Sequence, residues 1–253
     1  MKFYLLIILV CLTPFLAFGE TPIPSSSQKV ILVITDSVEA TTGSLYFFER
    51  ESSKIQWKPS NKVIPISLGR SGLGNGLGLH KFDELSDLPP KQEGDGRSPA
   101  GVYKLSSVFG HKTIDQMNNL KMPYIHITEM TECIDDASSE YYNQIVLRNE
   151  VQQESEVDWN SSEKMSRAKI CYDQGIVVEH NTNPITKSSG SCIFIHNWSK
   201  PFETTAGCTV MTPENMKELI YWLDKSKEPV LVQLTKKLYL DLSKSWHLPN
   251  LNF

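Results

Sequence analysis

The chain has no cluster of lysine and arginine. Its 253 residues include 25 basic and 29 acidic side chains, a net charge of −4 that is spread along the sequence. Binding to nucleic acid needs concentrated positive charge, so this class of function is disfavoured. Four of the 6 histidines, His80, His111, His126 and His247, are scattered without ligand spacing, and we expect no metal site. A glycine-rich stretch at residues 69–78 lacks a Gly-Lys-Ser/Thr ending, which predicts a turn between strands and not a phosphate loop.

Long apolar runs are also missing after the first nineteen residues. Lys2, the apolar stretch at residues 3–10 and the small residues around Ala17 are typical of a secretory signal peptide over residues 1–19. This stretch is short for a bilayer span and is interrupted by Pro14, which disfavours a retained anchor. The sequence therefore predicts an exported protein of the periplasm or cell envelope. After cleavage near Glu20 we expect no stable membrane insertion.

The 253 − 19 = 234 residues that remain are enough for one large domain or two small ones. We expect a single domain over residues 20–253 with a mostly β fold. Short apolar and β-branched runs, separated by Ser, Gly and Asn, predict its strands. These runs lie at residues 28–35, 43–50, 62–69, 175–180, 191–196 and 230–234.

One helix is predicted after residue 208. Thr212 is a suitable N-cap and Pro213 suits the first turn. Met216, Leu219 and Ile220, with Leu223 one turn later, form an apolar face with helical spacing.

Residues 128–167 differ from their surroundings, because they are polar and contain few apolar runs. Such a long insertion in a compact domain predicts either a functional lid or a mobile excursion. We expect a lid over the site described below. Its acidic residues lack the spacing of a calcium loop, which favours a solvated face.

Four cysteines remain after the signal peptide: Cys133, Cys171, Cys192 and Cys208. In an exported protein they allow two disulfides with three possible pairings. If Cys208 is a nucleophile, it must stay reduced, and one other cysteine is then unpaired. We expect Cys133 and Cys171 to be bonded, because they flank the polar insertion, and Cys192 to be a free buried thiol.

Cys208 is the candidate nucleophile, in a Gly-Cys turn twelve positions after His196. His196 ends an apolar strand and is the candidate base, since a thiolate needs an adjacent imidazole to take its proton. Gly207 lets a substrate approach the backbone, and its N–H and that of Cys208 are candidate oxyanion donors, with Thr205 in the same turn. A helix beginning near residue 212 would favour the thiolate. His180 either supports this site or is a surface residue at a strand end.

Two segments carry a resemblance to a known family. Asp95-Gly96-Arg97-Ser98-Pro99-Ala100-Gly101-Val102-Tyr103 is similar to the segment Asp-Gly-basic-Thr-Pro-x-Gly-x-Phe/Tyr of the L,D-transpeptidase (YkuD-like) family. Ile195-His196 followed by Thr205-Ala206-Gly207-Cys208 is similar to its catalytic histidine and its Ser/Thr-His-Gly-Cys turn. The resemblance extends over residues 29–234. It implies a β-sandwich with a packed helix, and attack by Cys208 on a peptidoglycan stem peptide with His196 as base, without a cofactor.

The resemblance further implies an acyl-enzyme that an amine from a second stem resolves. Ala206 stands where the family turn usually has histidine, and Val210 where it often has arginine. Two alternatives stay open. The same acyl-enzyme resolved by water gives an L,D-carboxypeptidase or another peptidoglycan hydrolase. An exported module that binds cell wall without catalysis would have Cys192 and Cys208 oxidised together.

Overall fold

The computed structural model describes residues 21–60, 62–151 and 156–251, so the predicted signal peptide lies outside the described residues. The strands in these ranges are β1 (Lys29–Thr35), β2 (Thr42–Glu49), β3 (Lys58–Pro59), β4 (Ile64–Ser67), β5 (Leu73–Asn75), β6 (Ser98–Gly110), β7 (Tyr124–His126), β8 (Thr131–Cys133), β9 (Ile145–Leu147), β10 (Glu163–Lys164), β11 (Gln174–Val178), β12 (Phe194–Asn197), β13 (Thr209–Met211) and β14 (Val230–Thr235). The α-helices are α1 (Arg148–Val151), α2 (Pro213–Trp222) and α3 (Lys236–Leu242). Among the described helices, none has the length and apolar character needed to span a membrane.

The main sheet runs in the order β1-β14-β6-β11-β12-β13-β4-β2 and closes on itself, because β2 also pairs with β1. β3 extends it beside β2, while β5 and β7 pair with β6. The predicted mostly β, sandwich-like fold with a packed helix is confirmed. The two strands that carry the candidate residues, β12 and β13, are neighbours in this sheet.

β1 and β14 form the centre of the hydrophobic core. They pair in parallel, with Val30 opposite Val230, and every residue of both strands is buried. Continuous apolar runs of this kind are typical of strands covered on both faces. α3 follows β14 directly and contacts both strands. Thr235 caps it by accepting a hydrogen bond from the Leu238 N–H at 3.2 Å.

The predicted helix after residue 208 is confirmed as α2. The Thr212 hydroxyl accepts a hydrogen bond from the Asn215 N–H at 3.3 Å, which satisfies one of the free donors of the first turn. Its apolar face, Met216, Leu219, Ile220 and Leu223, is fully buried. The helix contacts β11 and β12, so it supports the strand that ends near His196.

The insertion at residues 128–167 is not an unstructured polar excursion. β10, β8 and β9 form a separate three-stranded sheet. Ile134, Tyr142 and Trp159 are buried within this region. The buried Glu132 carboxylate accepts hydrogen bonds from Arg148, Trp159 and Ser162. These contacts give the region a core of its own, which its low apolar content did not predict.

Asn143 ties the insertion to the main sheet. Its side-chain amide donates to the carbonyl oxygens of His180 and Asn181 at 2.9 and 2.7 Å, and its carbonyl accepts the Cys192 N–H at 2.9 Å. Its positive φ of 63° is one that asparagine adopts more readily than most residues. One side chain thus forms hydrogen bonds with three backbone groups that lie outside the strands.

The predicted Cys133–Cys171 disulfide is wrong. Cys133 is bonded to Cys192, and Cys171 and Cys208 are free thiols. The prediction that Cys192 is a free thiol therefore fails as well. This prediction fails for a local reason. The expected strand at residues 191–196 begins only at Phe194, and Cys192 has a φ of 54°. The chain turns at Cys192 and directs it towards the insertion.

Removing this disulfide is expected to destabilise the protein substantially. The cross-link closes a loop with a sequence separation of 59 residues, for which the chain-entropy relation gives about 4 kcal/mol. The double variant Cys133→Ser/Cys192→Ser should lose about that amount of unfolding free energy in urea titrations. Cys171→Ser, which breaks no cross-link, is the matched control. A loss in the double variant no larger than in the control would contradict the assignment.

Candidate active site

The turn that carries Cys208 is held by Thr205. Its hydroxyl donates to the Cys208 carbonyl oxygen at 2.6 Å and accepts the Gly207 N–H at 3.1 Å. A bridge between Gly69 and Thr205, with the Arg70 N–H donating to the Thr205 carbonyl oxygen at 2.9 Å, fixes the start of the turn. Thr205 therefore fixes the backbone of the turn at Cys208.

The two segments that carry the family resemblance meet at this turn, although they are far apart in sequence. The Ser98 hydroxyl donates to the Cys208 carbonyl oxygen at 3.3 Å and accepts the Gly69 N–H at 2.9 Å. A Cβ placed on Gly207 would lie 3.0 Å from the Arg97 carbonyl oxygen and 3.2 Å from Ile193 Cδ1. Glycine at 207 thus allows the close approach of the Arg97 backbone, where a Cβ would make a tight contact.

Asp95 organises the loop that precedes this contact. Its carboxylate accepts hydrogen bonds from the Lys91 ammonium at 2.6 Å and from the Arg97 N–H at 2.8 Å. Lys91 is buried, and a buried ammonium needs a paired counter-charge. The Asp-Gly-basic segment therefore has a structural role here, because it sets the backbone against which Gly207 packs.

His196 lies on the strand next to the turn. β12 and β13 are parallel, with Ile195 opposite Thr209. His196 directly follows Ile195 and Cys208 directly precedes Thr209, so the two candidate residues lie on either side of this pair. The His196 ring nitrogen Nδ1 is 2.8 Å from the Asn197 carbonyl oxygen. A carbonyl can only accept, so this contact assigns the proton to Nδ1 and leaves Nε2 as the basic nitrogen.

Tyr172 holds the other side of the imidazole. Its ring lies edge-on to the His196 ring at 83°, with 5.0 Å between centroids. The Tyr172 hydroxyl donates to the Glu163 carboxylate, which belongs to β10 of the insertion. His196 is thus confined between its own backbone and an aromatic ring that is itself anchored.

Cys208 and His196 are both uncharged at neutral pH. Burial raises the pKa of the Cys208 thiol well above its usual range, the nearby Glu163 carboxylate raises it further, and the Phe194 N–H opposes both. Burial lowers the pKa of His196 to about 4 against the opposing effect of the Asn197 and Cys171 backbone. A resting thiolate–imidazolium pair is therefore disfavoured in this conformation.

The thiol of Cys208 contacts backbone groups in this conformation. The Phe194 N–H donates to Sγ at 3.3 Å, and Sγ is 3.5 Å from the Cys192 carbonyl oxygen. Among the hydrogen bonds of the described residues, none joins Sγ to the His196 ring. Hydrogen bonds between catalytic groups are often long or absent in structures without substrate.

Both residues line one cavity of about 290 Å³. Its wall also contains Thr205, Ala206 and Val210. The remaining lining residues are Glu163, Ala168, Cys171, Tyr172, Trp198, Ser199, Glu203 and Thr204. Within the described ranges, no group of three or more His, Cys, Asp or Glu side chains has a metal-binding arrangement.

His180 is not brought to this cavity. It is buried, its Nδ1 accepts the Leu77 N–H at 3.2 Å, and its Nε2 lies 3.0 Å from the Ser189 carbonyl oxygen. Burial lowers its pKa to about 4. The residue is thus neither a surface histidine nor a neighbour of Cys208. It connects the loops that contain Leu77 and Ser189.

Two further expectations about the turn are not met. The Gly207 N–H donates to Thr205, so it is not directed at an incoming oxyanion here. The N-terminus of α2 follows β13, and the four residue steps from Cys208 to Thr212 span about 13 Å of extended chain. Helix dipoles act mainly within the first turn, so α2 stabilises a Cys208 thiolate little.

Sequence reasoning missed four charged or aromatic residues of the cavity wall: Glu163, Tyr172, Trp198 and Glu203. Trp198 could have been found, because it lies two positions after His196 and strand alternation places both on one face. Glu163 and Tyr172 have no such signal. The insertion brings Glu163 to the site, and only its tertiary packing determines which of its residues arrives there.

Comparison with known proteins is consistent with these features. The sequence matches the L,D-transpeptidase catalytic domain (YkuD) family over residues 37–232, which is most of the chain. No curated protein and no solved structure matches significantly. The family consists of cysteine-dependent transpeptidases that act on peptidoglycan stem peptides. The matched range contains both segments of the resemblance and both residues of the candidate pair, and the chain belongs to the L,D-transpeptidase catalytic domain family.

Proposed function

We propose that this protein is a peptidoglycan L,D-transpeptidase with Cys208 as nucleophile and His196 as base. The observation that carries the proposal is the common cavity of the two residues, with the His196 proton assigned to Nδ1 by Asn197. The basic Nε2 is thereby left available for the thiol proton. Family membership supports the reaction class.

In the acylation step, Cys208 attacks the carbonyl of a stem peptide between an L-centre and a terminal D-residue. The thiol proton passes to His196 Nε2 and then to the departing amine, while the C–N bond breaks and a thioester forms. Because burial raises the pKa of Cys208 and lowers that of His196, attack and proton transfer occur together. Tyr172 limits rotation of the imidazole during this transfer.

Deacylation decides between the two enzymatic alternatives. An amine acceptor forms a new peptide cross-link, whereas water gives an L,D-carboxypeptidase or another hydrolase. We favour the amine, because Glu163 of the insertion and the aromatic residues Tyr172 and Trp198 line the cavity, and a lid formed there would exclude water from the thioester. β10 of the insertion forms part of the cavity wall, which supports the proposed lid.

The non-catalytic alternative required Cys192 and Cys208 to be oxidised together. Cys192 is bonded to Cys133 instead, and Cys208 is a free thiol. This form of the alternative is therefore wrong. The disulfide also supports the proposed export to the periplasm or cell envelope, because disulfides persist in oxidising compartments.

The proposed function is tested with a tetrapeptide stem and a second stem as acceptor. We expect an acyl-enzyme mass on the peptide that contains Cys208 and a cross-linked dimer as the main product. Intact-mass and product analysis measure both. A product that is all hydrolysed tripeptide would assign the hydrolase, and a lack of any acyl-enzyme would contradict both enzymatic functions.

A further inference from the structure

Lysine and arginine are absent from the described wall of the Cys208 cavity, which contains two carboxylates. Glu163 and Glu203 are its two acidic residues, and the described part of the chain contributes neither lysine nor arginine to it. Val210 in the wall is apolar, and His196 is neutral because burial lowers its pKa to about 4. The two carboxylates of the wall therefore favour a cationic group in the cavity.

Glu163 is held in this wall by defined contacts. Tyr172 donates a hydrogen bond to its carboxylate, and β10 pairs with β8 so that Glu163 lies opposite the disulfide-bonded Cys133. Burial raises the pKa of Glu163 to about 7 against the opposing Tyr172 hydrogen bond. Asp135 and Glu93 raise it further by repulsion. A cation that entered the cavity would relieve this repulsion.

The position of Glu163 is unfavourable for the first half of the reaction. Its charge raises the pKa of Cys208, which opposes formation of the attacking thiolate. Once the sulfur is acylated, this conflict disappears, because a thioester carries no charge. A residue whose position opposes its local surroundings, as this carboxylate opposes the Cys208 thiolate, is often functional. The carboxylate is therefore suited to the second half of the reaction.

We propose that Glu163 receives the ammonium group of the acyl acceptor, with Glu203 at the rim attracting it into the cavity. This inference rests on the proposed function and adds the residue that selects an amine over water. It also assigns a specific role to the insertion, whose strand β10 carries Glu163 to the thioester.

The proposed step balances as follows. The acceptor enters as R–NH₃⁺ and gives one proton to the Glu163 carboxylate. The amine nitrogen then forms a C–N bond to the acyl carbon, while the C–S bond breaks. Its second proton passes through His196 to the leaving Cys208 sulfur, and the third stays on the new amide. The products are an amide, the free thiol and a protonated Glu163, which releases its proton to water.

The test compares two nucleophiles of similar size on the acyl-enzyme formed from a tetrapeptide stem. Methylamine is cationic at about pH 8, whereas hydroxylamine is neutral there. In Glu163→Gln, the rate with methylamine should fall roughly tenfold or more, the effect of losing a charged hydrogen-bond partner. The hydroxylamine rate should change less than about twofold. Glutamine can still accept the Tyr172 hydrogen bond.

Two further variants complete the comparison. Glu203→Gln, at an exposed position, should give a smaller loss of the same selectivity. Glu150→Gln removes an exposed carboxylate of the insertion that does not line the cavity, and it should leave both rates unchanged. In unacylated Glu163→Gln, alkylation of Cys208 by iodoacetamide should become faster, because a carboxylate that raises the thiol pKa is gone.

The outcomes distinguish this inference from the proposed function. Equal losses with methylamine and hydroxylamine in Glu163→Gln would overturn the inference while leaving the acyl-enzyme intact, since they would indicate a purely structural residue. The inference would also be overturned if Glu163→Gln and Glu203→Gln kept the wild-type ratio of the methylamine rate to the hydroxylamine rate. If the wild-type protein forms no acyl-enzyme, the proposed function fails, and this inference fails with it.

Discussion

Replacing Cys208 with serine is expected to abolish acylation by a tetrapeptide stem and by a carbapenem. The loss should be on the order of 10⁴-fold or more, as for other nucleophiles that act as a unit with a base. A serine hydroxyl is far harder to deprotonate than a thiol, and His196, with its pKa lowered to about 4, is a weak base. Intact-mass spectrometry measures the acylated fraction directly.

Cys171→Ser is the matched control for this experiment. Cys171 is the other free thiol, and it lines the same cavity without a place in the proposed reaction. Acylation should persist in Cys171→Ser and map to the peptide that contains Cys208. Acylation of Cys208→Ser at an undiminished rate would remove the central claim about this site.

Replacing His196 with alanine is expected to reduce acylation by about 10²–10⁴-fold, the usual contribution of a general base. The fold should survive, because the side-chain hydrogen bond of His196 to the Asn197 carbonyl is local in sequence. Circular dichroism checks the fold, and the acylation rate checks the role. His126→Ala, at an exposed position outside the cavity, is the control.

The pH profile gives an independent measure of His196. Burial lowers its folded-state pKa to about 4, so its basic form persists as the pH falls below the ordinary histidine value of about 6.5. The acidic limb that His196 imposes on wild-type acylation should therefore lie near pH 4.

A loss below about threefold in His196→Ala would assign the base elsewhere. His180, which the structure separates from the cavity, could not replace it without a large rearrangement.

Much of the sheet was predictable from sequence because its strands are continuous apolar runs. β1 and β14 are buried along their whole length, so no alternation was needed to recognise them. α2 was predictable for the same kind of local reason, since Thr212, Pro213 and the spacing of Met216, Leu219 and Ile220 all specify one helix. α3 was missed, and its first turn is capped by the last residue of β14, which leaves no gap between the two elements.

The disulfide pairing could not be read from sequence. Cys133 and Cys171 flank the insertion, and their position alone favoured a bond between them. The backbone turn at Cys192, the Asn143 hydrogen bond to its N–H and the start of β12 only at Phe194 decide the actual pairing. Each depends on contacts between segments that are distant in sequence.

The sequence by itself determined the family, the mostly β fold and the identity of the candidate pair. These depend on short motifs and local hydrophobic patterns, which can be recognised without knowing the contacts between distant segments. Tertiary structure alone decided that the insertion has its own core, that it is bonded to Cys192 and that it brings Glu163 to the wall beside Cys208. It also decided the protonation of the site, because burial sets the pKa values of Cys208 and His196, and burial is a property of the whole fold.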